Sequence, residues 1–448
     1  QNKLATPLTH SLSLSQNFSN STTISISSRS FFDTLSSFNN QQKMKMIKLG
    51  NESEECLNSD IIDDILSRIP AKPLLGMKCI SRRWQAIISN PSFIKSQLQK
   101  AELLLDGFIV QDGYMLSRQD VKTVTYIPVM SKNEDPPVVH HKVFTFLPEQ
   151  VVVLASCKGI VCCRSLLPSP NPSLYLCNPL IREWIQFNCP IQSHVTDSIS
   201  LLYDFEPSRF KLVRVKRCEK EVWEDEEDES QSESEEGSFF FTFELYSSET
   251  KTWRKSQETC DCNHDLIKNK GVYIGGVLHW LTEGDKIITF NVEKELCLLI
   301  SVPVPASQFR SVPEACIGEH EGKLHYVQVS ENGLHVWYLD SLEDYFDFKW
   351  ILKHFKTLED FEQEHPRRFL NLKKRVSERV IMDTNPWMSP LGFQDGKSLI
   401  KVSSELYIYD MKSDKTDHAC SFRQLNPQSM SPSTVFPHSL TLVSLNDA

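Results

Sequence analysis

The chain has 448 residues, 40% of them hydrophobic and 24% charged, and a formal net charge of −10. No run of eighteen apolar residues occurs, so the sequence offers no membrane-spanning helix, and the acidic balance without a compensating basic stripe argues against nucleic-acid binding. Thirteen cysteines, an odd number in a long chain with no persuasive signal peptide, read as free thiols in a reducing compartment, the cytoplasm and/or the nucleus.

Residues 1–51 are rich in Ser, Thr and Asn and show no lasting helical or strand period, which predicts disorder. Arg29 is the single arginine of this stretch and Asp33 its single acid, and Met44 and Met46 are the first methionines. The expectation is that translation starts at one of those two and that the preceding residues lie upstream.

A helical unit is predicted at 55–101. Ser59 and Asp60 suit a helix N-cap, and Ile62, Ile65, Leu66 and Ile69 fall at i, i+3, i+4 and i+7, one helical face. Pro70 stops that helix, and Pro73 is expected to open a second carrying Leu74 and Leu75. Ser81 is expected to cap a third with Trp84, Ile87 and Ile88, and Ser92 a fourth piece with Phe93 and Leu98. About forty residues bury too little surface for strong stability alone. The apolar groups of such a unit either meet a partner or pack on the following domain, and the physics leaves both open.

The residue order is more specific. Leu57-Asn58-Ser59-Asp60-Ile61-Ile62-Asp63-Asp64-Ile65-Leu66-Ser67-Arg68-Ile69-Pro70, then Leu74-Leu75, Lys78-Cys79-Ile80-Ser81-Arg82-Arg83-Trp84 and Ile87-Ile88-Ser89-Asn90-Pro91-Ser92-Phe93, resembles the F-box of plant F-box proteins without a gap. Asn58 departs from the family, which usually has Leu-Pro at the start. The resemblance implies docking on a Skp-type adaptor that joins a cullin–RING scaffold. The positions it implies for that contact are Leu57, Ile61, Ile65, Leu66, Ile69, Pro70, Leu74, Leu75, Cys79 and Trp84.

From residue 103 to 448 the pattern turns to short runs rich in β-branched and aromatic residues, such as Val151–Ala155, Phe239–Tyr246, Val277–Leu281 and Leu324–Val329, separated by Gly, Pro, Asn and Ser. Two elements recur. One is Gly entering an apolar strand, at Gly159, Gly276, Gly322 and Gly396; the other is a strand ending in an Asn, Asp or Ser turn, at Asn178, Ser247, Asn291, Asp340 and Asp410. Gly276 and Gly322 are about one four-stranded propeller blade apart, and about six or seven blades are expected. Between Asp344 and Arg379 the repeat is interrupted, which predicts an inserted helix or long loop. Glu221–Glu236 holds ten carboxylates and no basic residue, so the rest of the chain is balanced in charge. It reads as a solvated acidic loop.

Leu154-Ala155-Ser156-Cys157-Lys158-Gly159-Ile160-Val161-Cys162, Cys177-Asn178-Pro179 with Arg182-Glu183-Trp184, Tyr246-Ser247-Ser248-Glu249-Thr250 with Trp253, and Gly276-Val277-Leu278-His279-Trp280-Leu281 look like the F-box-associated domain of plants, which is kelch-like and resembles a β-propeller. The fold class expected is therefore α+β and multidomain: a small three-helix F-box followed by an all-β, β-propeller-like domain.

Chemistry is harder to place. His279 and Trp280 are neighbours in a strand and point to opposite faces, with Trp280 the core residue. Cys260-Asp261-Cys262-Asn263-His264 lacks a second Cys pair at metal-finger spacing and reads as a polar loop. No phosphate-cradling Gly loop, Gly-x-Ser-x-Gly or His-Glu-x-x-His occurs. No catalytic residue, metal, cofactor, membrane or nucleic-acid partner is expected, and no substrate-contacting residue stands out. The function expected is substrate recognition for a Skp–cullin–F-box ubiquitin ligase. The alternatives are a ligase-independent protein-binding module and a propeller enzyme acting on carbohydrate.

Overall fold

The computed structural model describes residues 59–101, 104–111, 124–129, 139–166, 169, 172–188, 197–205, 208–220, 239–341, 348–378, 387–425 and 434–445. The N-terminal stretch with Met44 and Met46, the pair Leu57-Asn58 and the acidic run at 221–236 lie outside them.

Four helices come first: α1 (Ser59–Ser67), α2 (Ala71–Met77), α3 (Arg82–Ile88) and α4 (Pro91–Lys100). The second begins directly after Pro70 rather than at Pro73, which sits in its first turn, where no intrahelical acceptor awaits an N–H. Ser81 caps α3, its hydroxyl accepting from the Trp84 N–H at 3.2 Å. The cap of α4 is Asn90, not Ser92. Its side-chain oxygen accepts from the Ser92 N–H at 2.9 Å, and Pro91 takes the first helical position, where its fixed φ is favourable. Ile62, Leu66, Leu74, Met77, Ile88 and Phe93 form the buried side of the unit. The buried Gln97 donates to the Ile69 carbonyl at 3.1 Å and ties α4 to the end of α1.

The β region is built from antiparallel meanders. The strands β1 (Gly107–Gln111) and β2 (Val124–Pro128) come first. Next are β3 (Val151–Cys157), β4 (Ile160–Ser165), β5 (Ser173–Asn178) and β6 (Glu183–Asn188). They are followed by β7 (Ser198–Phe205), β8 (Ser208–Glu219), β9 (Phe239–Ser247) and β10 (Thr252–Cys260). The next four are β11 (Leu266–Ile274), β12 (Val277–Thr282), β13 (Lys286–Asn291) and β14 (Leu296–Ser301). After them come β15 (Glu314–His320), β16 (Lys323–Ser330), β17 (Gly333–Ser341) and β18 (Phe348–Lys356). The helices α5 (Leu358–Glu364) and α6 (Leu372–Ser377) fill the interruption of the repeat. Then follow β19 (Met388–Gln394), β20 (Lys397–Val402), β21 (Glu405–Asp410), β22 (Lys415–Ser421), the short α7 (Phe422–Leu425) and β23 (Thr434–His438).

These strands form a three-stranded sheet β2-β1-β23, three four-stranded sheets and one eight-stranded sheet. The last is two meanders whose first strands pair in parallel, with Gly318 opposite Phe393 and Glu319 opposite Gln394. The strands β3, β7, β11, β15, β19 and β23 touch in succession, and β23 touches β3. Among the described residues this is a closed ring of antiparallel units, a β-propeller. Between successive units lie separate apolar clusters, so each sheet is buried on both faces. Leu358, Phe361, Leu372 and Val376 of the two inserted helices join one of them.

The sequence repeat now has a physical meaning. Lys158-Gly159, Gly275-Gly276, Glu321-Gly322 and Asp395-Gly396 link first to second strands, and in each pair both residues have positive φ, the geometry that suits a two-residue hairpin. The Asn, Asp and Ser positions close the turns after third strands. Asn291 Oδ1 accepts from the Glu293 and Lys294 N–H groups, and Asp410 Oδ1 from those of Lys412 and Ser413.

The ring closes through its sequence-distant ends. β1 pairs with β23, Gly107 opposite His438 and Gln111 opposite Thr434. The chain then runs along the β3–β6 unit. There the fully buried Asn178 donates to the Thr441 and Val443 carbonyls at 3.0 and 2.8 Å, and Glu183 accepts from Ser444 and from the Leu445 N–H. Ile94 and Leu98 of α4 pack against the same apolar cluster as Val443 and Leu445.

Candidate functional site

Two surfaces are candidates for recognition. The first is on the helical unit. Ile61 and Ile65, four residues apart on α1, are 48% and 53% exposed, while Leu66 and Leu74 are 3% and 0% exposed. The heptad-like spacing placed Ile65 with Ile62 and Leu66. A short helix needs only a narrow stripe to pack on α4, and Ile65 falls outside it, on the face of Ile61. Cys79 and Ile80, after α2, are also exposed, as is Pro70; Ile69, Leu75 and Trp84 are half-buried. The implied adaptor positions therefore divide. Ile61, Ile65, Pro70 and Cys79 face outward, Leu66 and Leu74 hold the unit together, and Leu57 lies outside the described residues. Asp64 sits beside the outward pair and is bonded to Lys100 at 2.8 Å and Arg68 at 3.3 Å, which holds its carboxyl below the usual range.

The second surface is the end of the ring where the first-to-second-strand turns lie. A cavity of about 350 Å³ at the axis is lined by residues of β3, β11, β15, β19 and β23, among them Ser156, Lys158, Lys270, Glu319 and Gln394. Burial raises the pKa of Glu319, which accepts from the Gly322 N–H at 2.8 Å. Beside it, between the β11–β14 and β15–β18 units, is a cleft of about 420 Å³. Ile274 and Gly322 line both, so the two hollows adjoin.

His279 and Trp280 show how strand alternation sorts this region. Trp280 is fully buried against Phe243, its indole N–H donating to Ser198 at 3.0 Å. His279 faces the other way, into the cleft. No group of three or more His, Cys, Asp and Glu residues able to hold a metal occurs among the described residues. Cys260 and Cys262 are packed in an apolar cluster.

Buried histidines set an acid limit. Burial pushes His279 down to about 3 and His438 down to about 4 from an ordinary value near 6.5. Both stay neutral in the folded chain while the unfolded chain protonates below about pH 6.5, so stability is present above that pH and is lost as pH falls toward the folded values. Asp106, Glu319 and Asp395, raised by burial, act in the opposite sense. Replacing His279 with Leu is expected to flatten the slope of unfolding free energy against pH by about 1.4 kcal/mol per unit between about pH 4 and 6. Urea titrations at several pH values read this directly; equal slopes would mean that His279 accepts its proton while folded.

The helical unit followed by a propeller is the architecture of an F-box protein, and comparison with known proteins agrees on both parts. An F-box domain matches residues 55–96, and the family described as "F-box protein At3g26010-like, beta-propeller" matches residues 137–363. The chain belongs to that family. It is 23% identical over 320 residues to F-box protein At5g49610 of Arabidopsis thaliana, covering 66% of this chain and 78% of the relative. It is 23% identical over 379 residues to F-box protein At5g03970, with 82% and 83% covered, and 24% identical over 376 residues to putative F-box/kelch-repeat protein At1g20790, with 79% and 70% covered, both from the same plant.

Proposed function

We propose that this chain is the substrate-recognition subunit of a Skp–cullin–F-box ubiquitin ligase, working in the cytoplasm and/or the nucleus. The observation that carries the reading is the outward pair Ile61 and Ile65, the two most exposed large apolar side chains among the described residues of the helical unit. An exposed apolar pair on a helix of an F-box is what a helical adaptor surface would cover. In this reading the chain supplies proximity and orientation; ubiquitin transfer takes place on the partner subunits, and the propeller holds a protein substrate.

The experiment is co-purification of the chain from Met46 onward with a plant Skp-type adaptor, followed by addition of cullin and RING subunits. A stable complex supports the ligase reading. A folded chain that binds no adaptor would overturn it and leave a ligase-independent binding protein, with Asn58 the first position to restore to Pro.

A further inference from the structure

Between the β11–β14 and β15–β18 units the apolar packing leaves an open cleft. Val277, Leu298, Ile300, Leu324, Leu339 and Phe348 wall a volume of about 420 Å³, within the range of ligand-binding clefts. His279 lines it and is only 7% exposed, and its Nδ1 has no hydrogen-bond partner among the described residues. A buried polar nitrogen without a partner is costly, and an occupant of the cleft toward which the His279 ring turned would remove that cost. Among the described residues, the charged side chains lining the cleft are Lys294 and Lys323, with no carboxylate beside them in the lining. Lys323 also pairs with Asp340 at 2.9 Å and lies over the Tyr338 ring.

Resting on the reading of this chain as a substrate receptor, we propose that the cleft receives a bulky apolar side chain from an acidic peptide segment of the substrate. The walls fit the apolar group. The lysines favour carboxylates next to it in the peptide. His279, held neutral by its surroundings, can accept from a peptide N–H or donate to a peptide carbonyl, which a bare hydrocarbon could not satisfy. The adjoining axial cavity, sharing Ile274 and Gly322, gives the peptide a path to continue.

The test is selection of a random-peptide display library on the full chain, with fluorescence anisotropy of synthetic versions of the enriched peptides. The expected peptides carry Phe, Leu, Met or Trp within two residues of Asp or Glu. Replacing that apolar residue by Ala is expected to weaken binding about tenfold or more. Val277→Trp, which fills the cleft, is expected to abolish binding. Lys294→Glu, at an exposed position, is expected to weaken it roughly threefold or more and to reduce its sensitivity to salt. No enriched peptide, enriched peptides with basic flanks, or undiminished binding to the Val277→Trp chain would each overturn the proposal. If Val277→Trp does not fold, unchanged binding and salt dependence of Lys294→Glu overturn it alone. Adaptor co-purification of the same variants separates the two readings: adaptor binding without peptide selectivity removes the cleft only, and selectivity without adaptor binding removes the ligase role only.

Discussion

Ile65→Asp is expected to abolish co-purification with a Skp-type adaptor while leaving the thermal unfolding of the chain unchanged. The side chain is 53% exposed on α1, so a charge there meets water and costs the fold roughly 0.5 kcal/mol or less. Across an apolar interface the same carboxylate would have to be desolvated without a partner, a penalty of several kcal/mol. Ile61→Asp, one turn away and 48% exposed, is expected to behave alike. Leu74→Asp is the contrasting case. That side chain is fully buried, and the substitution is expected to unfold the helical unit by about 4 kcal/mol or more, losing adaptor binding for a different reason. Circular dichroism beside the pull-down separates the two. If Ile65→Asp binds as well as the natural sequence, the adaptor does not use the outward face of α1.

Much of the architecture was legible in the residues, and what was hidden follows a pattern. The helical unit showed through its prolines, its caps and its ordered match to the F-box. Middle strands of the sheets, such as β12 with Val277-Leu278-His279-Trp280-Leu281 and β13 with Ile287-Ile288-Thr289-Phe290, are covered on both sides and read as apolar runs. Two of the first strands were harder. Glu314-Ala315-Cys316-Ile317-Gly318-Glu319-His320 and Met388-Ser389-Pro390-Leu391-Gly392-Phe393-Gln394 carry small and polar residues because they crowd the ring axis, where little side-chain volume fits. The fourth strands were obscured for another reason: Glu183-Trp184-Ile185-Gln186-Phe187-Asn188 alternates between half-buried and exposed, and lies at a sheet edge. The cleft could not be read at all. Its walls come from strands of two sheets, and His279 acquires its unpartnered nitrogen only through the packing of one against the other. The outward turn of Ile65 was hidden likewise, since the spacing of Ile62, Ile65, Leu66 and Ile69 does not say which edge of the stripe α4 covers.

Gly318→Val is expected to destabilise the propeller by about 3 kcal/mol or more. A Cβ at Gly318 would overlap the Phe393 carbonyl oxygen, backbone that cannot swing aside as a flexible side chain would. This is the contact at which β15 and β19 pair in parallel and join two units into one sheet. Gly318 has no positive φ to protect; glycine is needed there for approach, not for conformation. Gly276 offers the opposite control. Its φ is +90°, but a Cβ there meets nothing within 4 Å, so Gly276→Ala is expected to cost only about 1–2 kcal/mol of backbone strain. Urea unfolding of Gly318→Ala, Gly318→Val and Gly276→Ala is expected to rank Gly318→Val as the worst. A Gly318→Val chain as stable as the natural one would mean that the first strands do not meet at the axis as described. The same substitution bears on recognition, because Glu319, Phe393 and Gln394 line the axial cavity immediately beside this contact. Spreading β15 from β19 would deform that cavity and its adjoining cleft while leaving the outward face of α1 intact. Loss of peptide binding with retention of the adaptor is therefore the expected signature of any Gly318 variant that still folds.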